Sequence, residues 1–384
     1  MRIGFDVSPT VHRHAGLGRY AHELLLALTR IDSQDQYTAF HNRAARDESV
    51  PPPLDRLPRR VIPLSAKPWR MSVLLADWFH IPMDRWIPGL DLFHGTDHLL
   101  PTFRHSETVF TLHDLIFHFF PEYHLPLNRA FLSLMLPRFL RRAGAIIAVS
   151  ECTKRDAVQI YNIPPDKISV IYEGVNPALH PVHDANLIRQ TRARYAKNGP
   201  FICFLSTIEP RKNIPALIDA LRIVRSHGFP HRLVIAGRKG WLYKSVFDHV
   251  RQTGMQDAVE FTDYVPNDDL PPLLAACDAF VFPSLYEGFG LPPLEAMACG
   301  APVVCSNTSS LPEVVGDAAL LVNPRDVGEM AAAIERVITD EAARDELRAR
   351  GIAQAAKFSW ERAARETLAV YERVLAMPAL PLRN

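Results

Sequence analysis

Along the chain, short apolar runs alternate with amphipathic segments whose apolar positions recur at helical spacing, a rhythm that predicts parallel β-sheets flanked by helices. In the first half the runs at 3–7, 92–94, 108–112, 145–149 and 168–171 read as strands, with a helix over 18–30. The rhythm then restarts. Residues 201–206, 232–236, 259–261, 279–282, 302–305 and 319–322 read as strands, and 214–226, 245–253, 270–276 and 292–299 as helices between them. Two similar doubly wound units of ordinary domain size are therefore expected. Proline-bearing turns at 176–177 and 180–181 and a polar helix over 184–197 separate the two rhythms. The expected organisation is a first domain over 1–180, a linker over 181–199, a second domain over 200–358, and a terminal segment over 359–384 (a helix near 340–357 precedes it) that packs back on the first domain. Ser359 is placed to cap that last helix, with Arg362 rather than Glu three residues on.

Ligands of such sheets bind beyond the carboxyl ends of the strands, so two facing units are expected to make a cleft. The stretch 282–299 is the most informative. A buried strand ends at Phe282, Gly288 and Gly290 permit a tight loop, and Pro292 or Pro293 suits a first helical turn. The backbone N–H groups of Gly288, Phe289, Gly290 and Leu291 would then face the cleft and suit a phosphate or sugar oxygen. Glu287 and Glu295 bracket this loop, about 12 Å apart if the steps are helical. That is the length scale of a nucleotide sugar, and one carboxylate could read a hexose while the other reads a ribose. Arg211 and Lys212 follow directly after a predicted strand, where adjacent cations can offset a diphosphate. His113 ends another strand. Plain readings stand beside these: a solvent-facing Glu295, a loop charge at Glu287, a surface turn at 209–213 and a structural His113.

Gly16-Leu17-Gly18-Arg19-Tyr20-Ala21 matches a dinucleotide fingerprint, yet residues 9–15 intervene between the first strand and the glycines. An NAD-dependent oxidoreductase is thus a poor fit, and plain helix entry is the simpler alternative. The 384 residues are 48% apolar and 22% charged, which excludes disorder for most of the chain. Five cysteines, with no Cys-x-x-Cys spacing, suit free buried thiols in a reducing compartment. The net charge of +1 hides an asymmetry: 24 Lys+Arg against 19 Asp+Glu up to residue 199, and 19 against 23 beyond. This is too weak for a nucleic-acid partner. It suits an anionic ligand or membrane surface on the first half. Arg56, Arg59, Arg60, Lys67 and Arg70 lie among Trp69, Trp78 and Trp86, and 129–142 is a second basic segment, so peripheral contact with an anionic bilayer is weighed evenly against a core helix with a solvated face. Asp6 interrupts any apolar leader, and no run of about 18 apolar residues occurs. A cytoplasmic location, at the inner face of the membrane if that contact is made, is expected.

The Glu-x7-Glu segment at 287–295, then Gly300-Ala301-Pro302-Val303-Val304 and Leu311-Pro312-Glu313-Val314, resembles the donor-binding half of retaining glycosyltransferases of family four, which have the GT-B fold. Gly16-Leu17-Gly18, His113-Asp114, Val149-Ser150-Glu151 and Glu209-Pro210-Arg211-Lys212-Asn213 fall in the family's order, so the resemblance spans nearly the whole chain. It implies metal-independent, cofactor-free transfer of a hexose from a nucleoside-diphosphate sugar to a hydroxyl of a glycan or lipid-linked oligosaccharide in polysaccharide biosynthesis. It assigns the leaving diphosphate to Arg211 and Lys212, the sugar to Glu287, the ribose to Glu295 and a contact near the reacting carbon to His113. The base falls to the backbone around Tyr264 and Val265, and Gly16 and Gly18 to a loop closing over diphosphate and acceptor. One departure is Leu205-Ser206-Thr207, where the family often has Gly or Gly-Arg. The chain has no Asp-x-Asp pair for a divalent ion. His-Asp-Leu-x5-Pro-Glu-Tyr-His at 113–124 is similar to bacterial mannosyltransferases of surface-polysaccharide pathways, which favours mannose from GDP-mannose. Glucosyl, rhamnosyl or N-acetylglucosaminyl transfer, and a non-catalytic nucleotide-sugar-binding protein, are the alternatives.

Overall fold

The apolar runs of the first half become strands of one parallel sheet. The computed structural model describes residues 1–44 and 50–376. The first sheet contains β1 (Arg2–Asp6), β2 (Gln36–Asn42), β3 (Arg59–Ile62), β4 (Leu92–Gly95), β5 (Glu107–Leu112), β6 (Ala145–Ala148) and β7 (Ile168–Val170). Their order is β3-β2-β1-β4-β5-β6-β7. The second sheet contains β8 (Phe201–Leu205), β9 (Arg232–Ala236), β10 (Val259–Asp263), β11 (Ala279–Phe282), β12 (Val303–Ser306) and β13 (Ala319–Val322), in the order β10-β9-β8-β11-β12-β13. In both sheets the strand order reverses beside the first strand, between β1 and β4 and between β8 and β11. These are the switch points where a doubly wound sheet leaves room for a ligand.

β2 and β3 are additions to the sequence reading. β2 mixes His41 and Asn42 into its apolar face, and three of the four residues of the edge strand β3 are exposed. Neither therefore looks like a buried apolar run. The helix Val327–Thr339, with its Ala-rich middle, was also not anticipated.

Two compact units result: Met1–Gly174 with the described residues from Ser359, and Val175–Phe358. The expected linker over 181–199 needs correction, because it belongs to the second unit. Its helix Ala185–Ala196 is capped by Asp184 and anchored by Arg192, which donates to the Ala276 carbonyl and to Asp278, and by Tyr195, which donates to Asp269. The last helix, Trp360–Ala376, lies with the first unit. The Ser359 hydroxyl accepts the Arg362 N–H at 3.2 Å. Tyr371, fully buried, holds the helix to β4 and β5 through His94 Nδ1 at 2.6 Å, and His94 Nε2 reaches Thr111 at 2.7 Å. Residues 377–384 of the expected terminal segment lie outside the described residues.

None of the five cysteines forms a disulfide, and all are buried. Among the described residues no helix is long and apolar enough to cross a membrane. The basic, tryptophan-rich segment divides by position. Trp69 is core at 2% exposure and Trp86 packs against that core, while Trp78 is 51% exposed under the Arg138 guanidinium.

Candidate functional site

The second unit gathers its charged groups at the carboxyl ends of β8 and β11. After β8 the chain passes Glu209 into a single 3₁₀ turn, Pro210–Lys212, and then Asn213 takes a left-handed conformation (φ 56°) that starts the helix Ile214–Ser226. The side-chain amide of Asn213 donates to the Pro324 carbonyl at 2.6 Å, which pins the turn. After β11 the loop carries Ser284, Glu287 and Gly290 before the helix Leu291–Ala298. The two loops are stitched together by the Leu285 N–H, which donates to the Arg211 carbonyl at 2.9 Å.

Arg211, Lys212 and Glu287 are brought together by these loops. Lys212 Nζ lies 2.6 Å from Glu287 Oε1 and Arg211 Nη1 lies 2.8 Å from Oε2, while Arg211 Nε reaches Glu209 at 2.7 Å. Ser284 also donates to Glu287 Oε1 at 2.6 Å. Burial alone would raise the Glu287 carboxyl, but Arg211, Lys212 and Ser284 outweigh it and hold the group at about 2. Two carboxylates and two cations cancel in formal charge. Glu287 Oε1 already accepts two hydrogen bonds and Oε2 one, so little more than one lone pair remains for a ligand hydroxyl.

The loop glycines behave as expected at Gly290. Its φ of 122° favours glycine, and a Cβ there would meet Leu311 Cδ2 at 2.7 Å. Ser310 Oγ lies 2.9 and 2.6 Å from the carbonyls of Glu287 and Phe289, which fixes the turn on both sides of Gly288. Phe289 and Leu291 are buried, as is Glu295, which sits within the helix Leu291–Ala298 at 3% exposure rather than facing solvent. Val265, after β10, is buried beside an exposed Tyr264.

A cation pair at the end of β9 was missed by sequence reasoning. Gly237-Arg238-Lys239-Gly240 packs on the 206–209 loop: Ile208 N–H donates to the Arg238 carbonyl and Gly240 N–H to the Ile208 carbonyl. A Cβ on Gly237 would meet the Ser206 carbonyl at 1.8 Å, so only glycine fits. Arg238 stacks over Tyr264 at 4.8 Å, and Lys239 lies 5.4 Å from the Phe247 ring. The signal was available, since two cations between glycines directly after an apolar strand follow the logic that singled out Arg211 and Lys212.

In the first unit, the glycine loop needs correction. The helix begins at Ala15, so Gly16 and Gly18 lie in its first turn and form no loop. Gly18 is demanded by packing, because a Cβ would meet the Pro9 carbonyl at 2.8 Å, whereas nothing lies within 4 Å of one on Gly16. His113 follows β5 as expected, but its ring turns inward at 8% exposure. Nε2 lies 3.0 Å from the Thr96 carbonyl, and Tyr20 stands edge-on to the ring at 4.8 Å. Burial, then the neighbouring His98, lowers the imidazole to about 4 against the pull of Thr96, Asp114 and Asp97. Nδ1 faces Glu173 at 3.9 Å. Burial raises that carboxyl to about 8, partly offset by Arg19. No local pattern marks Glu173, since tertiary packing alone buries it.

Comparison with known proteins follows the same division. A Glycosyltransferase Family 4 model matches residues 14–179, and a Glycosyl transferases group 1 model matches residues 188–358. The chain is 32% identical over 380 residues to O-antigen chain mannosyltransferase B of Escherichia coli, covering 97% of this chain and all of that protein. It is 37% identical over 276 residues, 70% of its length, to the serotype-specific mannosyltransferase WbdA of Escherichia coli, of which this covers 34%. Sucrose-phosphate synthase from Thermosynechococcus elongatus shares the fold, with a TM-score of 0.77 at 20% identity over 98% of this chain and 99% of that one.

Proposed function

Since the chain belongs to the family 4, group 1 glycosyltransferases and has their GT-B fold, we propose that it moves mannose from GDP-mannose to a hydroxyl of a growing glycan or lipid-linked oligosaccharide, with retention at the anomeric carbon and without a metal ion. The observation that carries this reading is the constellation of half-buried Arg211 with buried Lys212 and Glu287 at the switch point of the second sheet. The preference for mannose is supported by the full-length likeness to an O-antigen mannosyltransferase.

The donor diphosphate would lie against Arg211 and Lys212, with its oxygens also near the amides of 288–291. Its arrival draws the two cations from Glu209 and Glu287 toward the phosphate, which frees Glu287 to take a sugar hydroxyl. As the bond from the anomeric carbon to the phosphate oxygen breaks, the cations stabilise the negative charge that develops on the diphosphate. The acceptor oxygen bonds to the same face of the sugar and gives its proton to the departing phosphate, so no protein nucleophile is consumed. His113 would meet the sugar near the reacting carbon through the edge of its ring, since Nε2 is held by Thr96 and Nδ1 faces Glu173; Glu295 would meet the ribose and the backbone at Val265 the base, with Arg238 and Tyr264 as a stacked shelf beside it.

The membrane contact belongs to the same proposal. Met71, Leu75, Trp78, Phe79 and Ile81 are exposed at 45–65%, and Leu127 and Leu134 are exposed on the helix Pro126–Arg142. Arg138 bridges this helix to the helix Ala66–Trp78 by stacking on Trp78 at 4.7 Å and pairing with Asp77. Apolar side chains among arginines suit an anionic bilayer. Co-sedimentation with vesicles containing anionic lipid should fall for Trp78→Ala plus Phe79→Ala, and equal binding by neutral vesicles would count against it.

A donor screen tests the activity. Purified protein is offered GDP-mannose, UDP-glucose, UDP-N-acetylglucosamine and dTDP-rhamnose with a lipid-linked oligosaccharide, nucleoside diphosphate release is measured, and NMR of the product reports the anomer. GDP release with an α-linked product, undiminished by chelator, is expected. Turnover of another donor alone, or an inverted product, overturns the proposal.

A further inference from the structure

Beyond the donor-site groups, the first unit holds two buried titratable side chains facing one another, and their hydrogen bonds dictate where a proton sits. His113 Nε2 lies 3.0 Å from the Thr96 carbonyl oxygen, which can only accept, so Nε2 carries the hydrogen. In the neutral ring Nδ1 is then a lone pair. It looks toward Glu173 Oε1 at 3.9 Å, about 1 Å longer than a hydrogen bond, and both side chains are more than nine-tenths buried. Tyr20 stands edge-on to the ring, and Thr153 donates to the His113 backbone carbonyl at 3.1 Å.

We infer that Glu173, as the neutral acid, is the positioning residue of His113: its O–H points at Nδ1, and the one proton between the two side chains sits on the carboxyl, which keeps the imidazole neutral with Nε2–H fixed on Thr96. Burial of both groups sets this distribution; His98 acts with it, while Arg19, Asp97 and Asp114 act against it. Arg19 on the helix Ala15–Ile31 opposes the burial that raises Glu173, while His98, Asp97 and Asp114 act on His113, and His113 in turn acts on His94 of β4. With Glu173 raised to about 8 and His113 lowered to about 4, the shared proton resides on the carboxyl at neutral pH. When Glu173 ionises, a carboxylate faces the lone pair, the donor is gone, and the ring is no longer held. The effect on turnover rests on the sugar-contact role proposed for His113; the proton arrangement does not.

Nitrogen NMR of the imidazoles in the full chain tests it, with His113 assigned by loss of its signals in His113→Asn. The expected result is an Nε2–H tautomer throughout pH 6–9, with one titration step at Nδ1 near pH 8 that is absent in Glu173→Gln. In the transfer assay Glu173→Ala should lower kcat about tenfold with little change in the donor KM. Glu173→Gln, whose amide can still donate, should restore it and remove the fall in rate above pH 8. An Nδ1–H tautomer, or a step that persists in Glu173→Gln, overturns the inference. Should no sugar donor be turned over, the NMR measurement still decides it, and the failure counts against the proposed activity alone.

Discussion

Two buried carboxyls close to strand ends have opposite fates in the two units. Glu287 has Lys212 and Arg211 at 2.6 and 2.8 Å, and its charge is secured well below the ordinary range. Glu173 faces an imidazole at 3.9 Å and feels Arg19 only through its field, so burial wins and the acid stays neutral at pH 7. Desolvation is present in both; the partner decides the outcome. The second unit is thereby organised around fixed charges that can be handed to an anionic ligand, and the first around a hydrogen-bonded network in which protons, not charges, are placed.

The sharpest way to break this contrast is to strip a cation from the charged cluster. Lys212→Ala should lower turnover by about 10²–10³-fold, the usual loss when a group that stabilises developing charge is removed. Glu287→Ala should impair sugar positioning and, by leaving buried Lys212 without its carboxylate and Arg211 with Glu209 alone, cost about 3–5 kcal/mol of stability. Steady-state kinetics with urea unfolding of the second unit separates the two effects. Undiminished transfer in both variants would remove the cluster from the reaction.

The pH dependence of stability should run in opposite directions. Glu287 is depressed to about 2, so its contribution is complete above the unfolded value near 4.5 and is lost as the pH falls through about 2. The interval corresponds to about 3 kcal/mol. Glu173 is raised to about 8, so the folded first unit binds the extra proton and loses stability as the pH rises from about 4.5 to about 8. Buried His113 and His94, lowered to about 4 and about 3, work against this up to about 6.5. Between pH 6.5 and 8 the fall should therefore be visible, at about 2 kcal/mol for Glu173 with a smaller share from Asp6, which burial raises to about 7. Hydrogen exchange of first-unit amides in wild type and Glu173→Gln reads it; an equal slope in both would mean that Glu173 is ionised throughout.

A smaller effect is expected in the 288–291 loop. Gly290→Ala must place a side chain at a φ of 122° and against Leu311, at a cost of about 1–3 kcal/mol, with a weaker donor KM because the loop amides shift. Unchanged thermal stability would show that the loop relaxes freely.

The unequal legibility of the two sites follows from the same chemistry. Arg211, Lys212 and Glu287 could be read from the chain because charged residues after apolar runs have few reasons to be there, and β8, β11 and β13, with β9 after Arg232, are continuous apolar runs. Arg238 and Lys239 carried that signal as well. Glu173 did not: its neighbours are a tyrosine and a glycine in a loop, and its proton depends on Thr96 and His113, 77 and 60 positions away along the chain. β2 and β3 were hidden because polar residues interrupt them, and the 181–199 segment because a helix with mostly polar residues can still be anchored by a few ion pairs.

Gly16 provides the smallest and most discriminating test, because sequence pattern and structure assign it different jobs. If glycines were needed at 16 and 18 for a flexible loop over the ligand, alanine at either position would reduce turnover. In a helix that starts at Ala15 the two positions differ. Gly18→Ala would drive a Cβ to 2.8 Å from the Pro9 carbonyl, a backbone atom that cannot step aside, and should destabilise the first unit by about 1–3 kcal/mol. Gly16→Ala meets nothing within 4 Å and replaces the most flexible residue by the best helix former, so it should raise stability by about 0.5–1 kcal/mol and leave kcat unchanged. Thermal unfolding and kcat measured on the pair test both assignments: a slow but stable Gly16→Ala enzyme would return Gly16 to the ligand site, since the N–H groups of a first helical turn can also hold a phosphate.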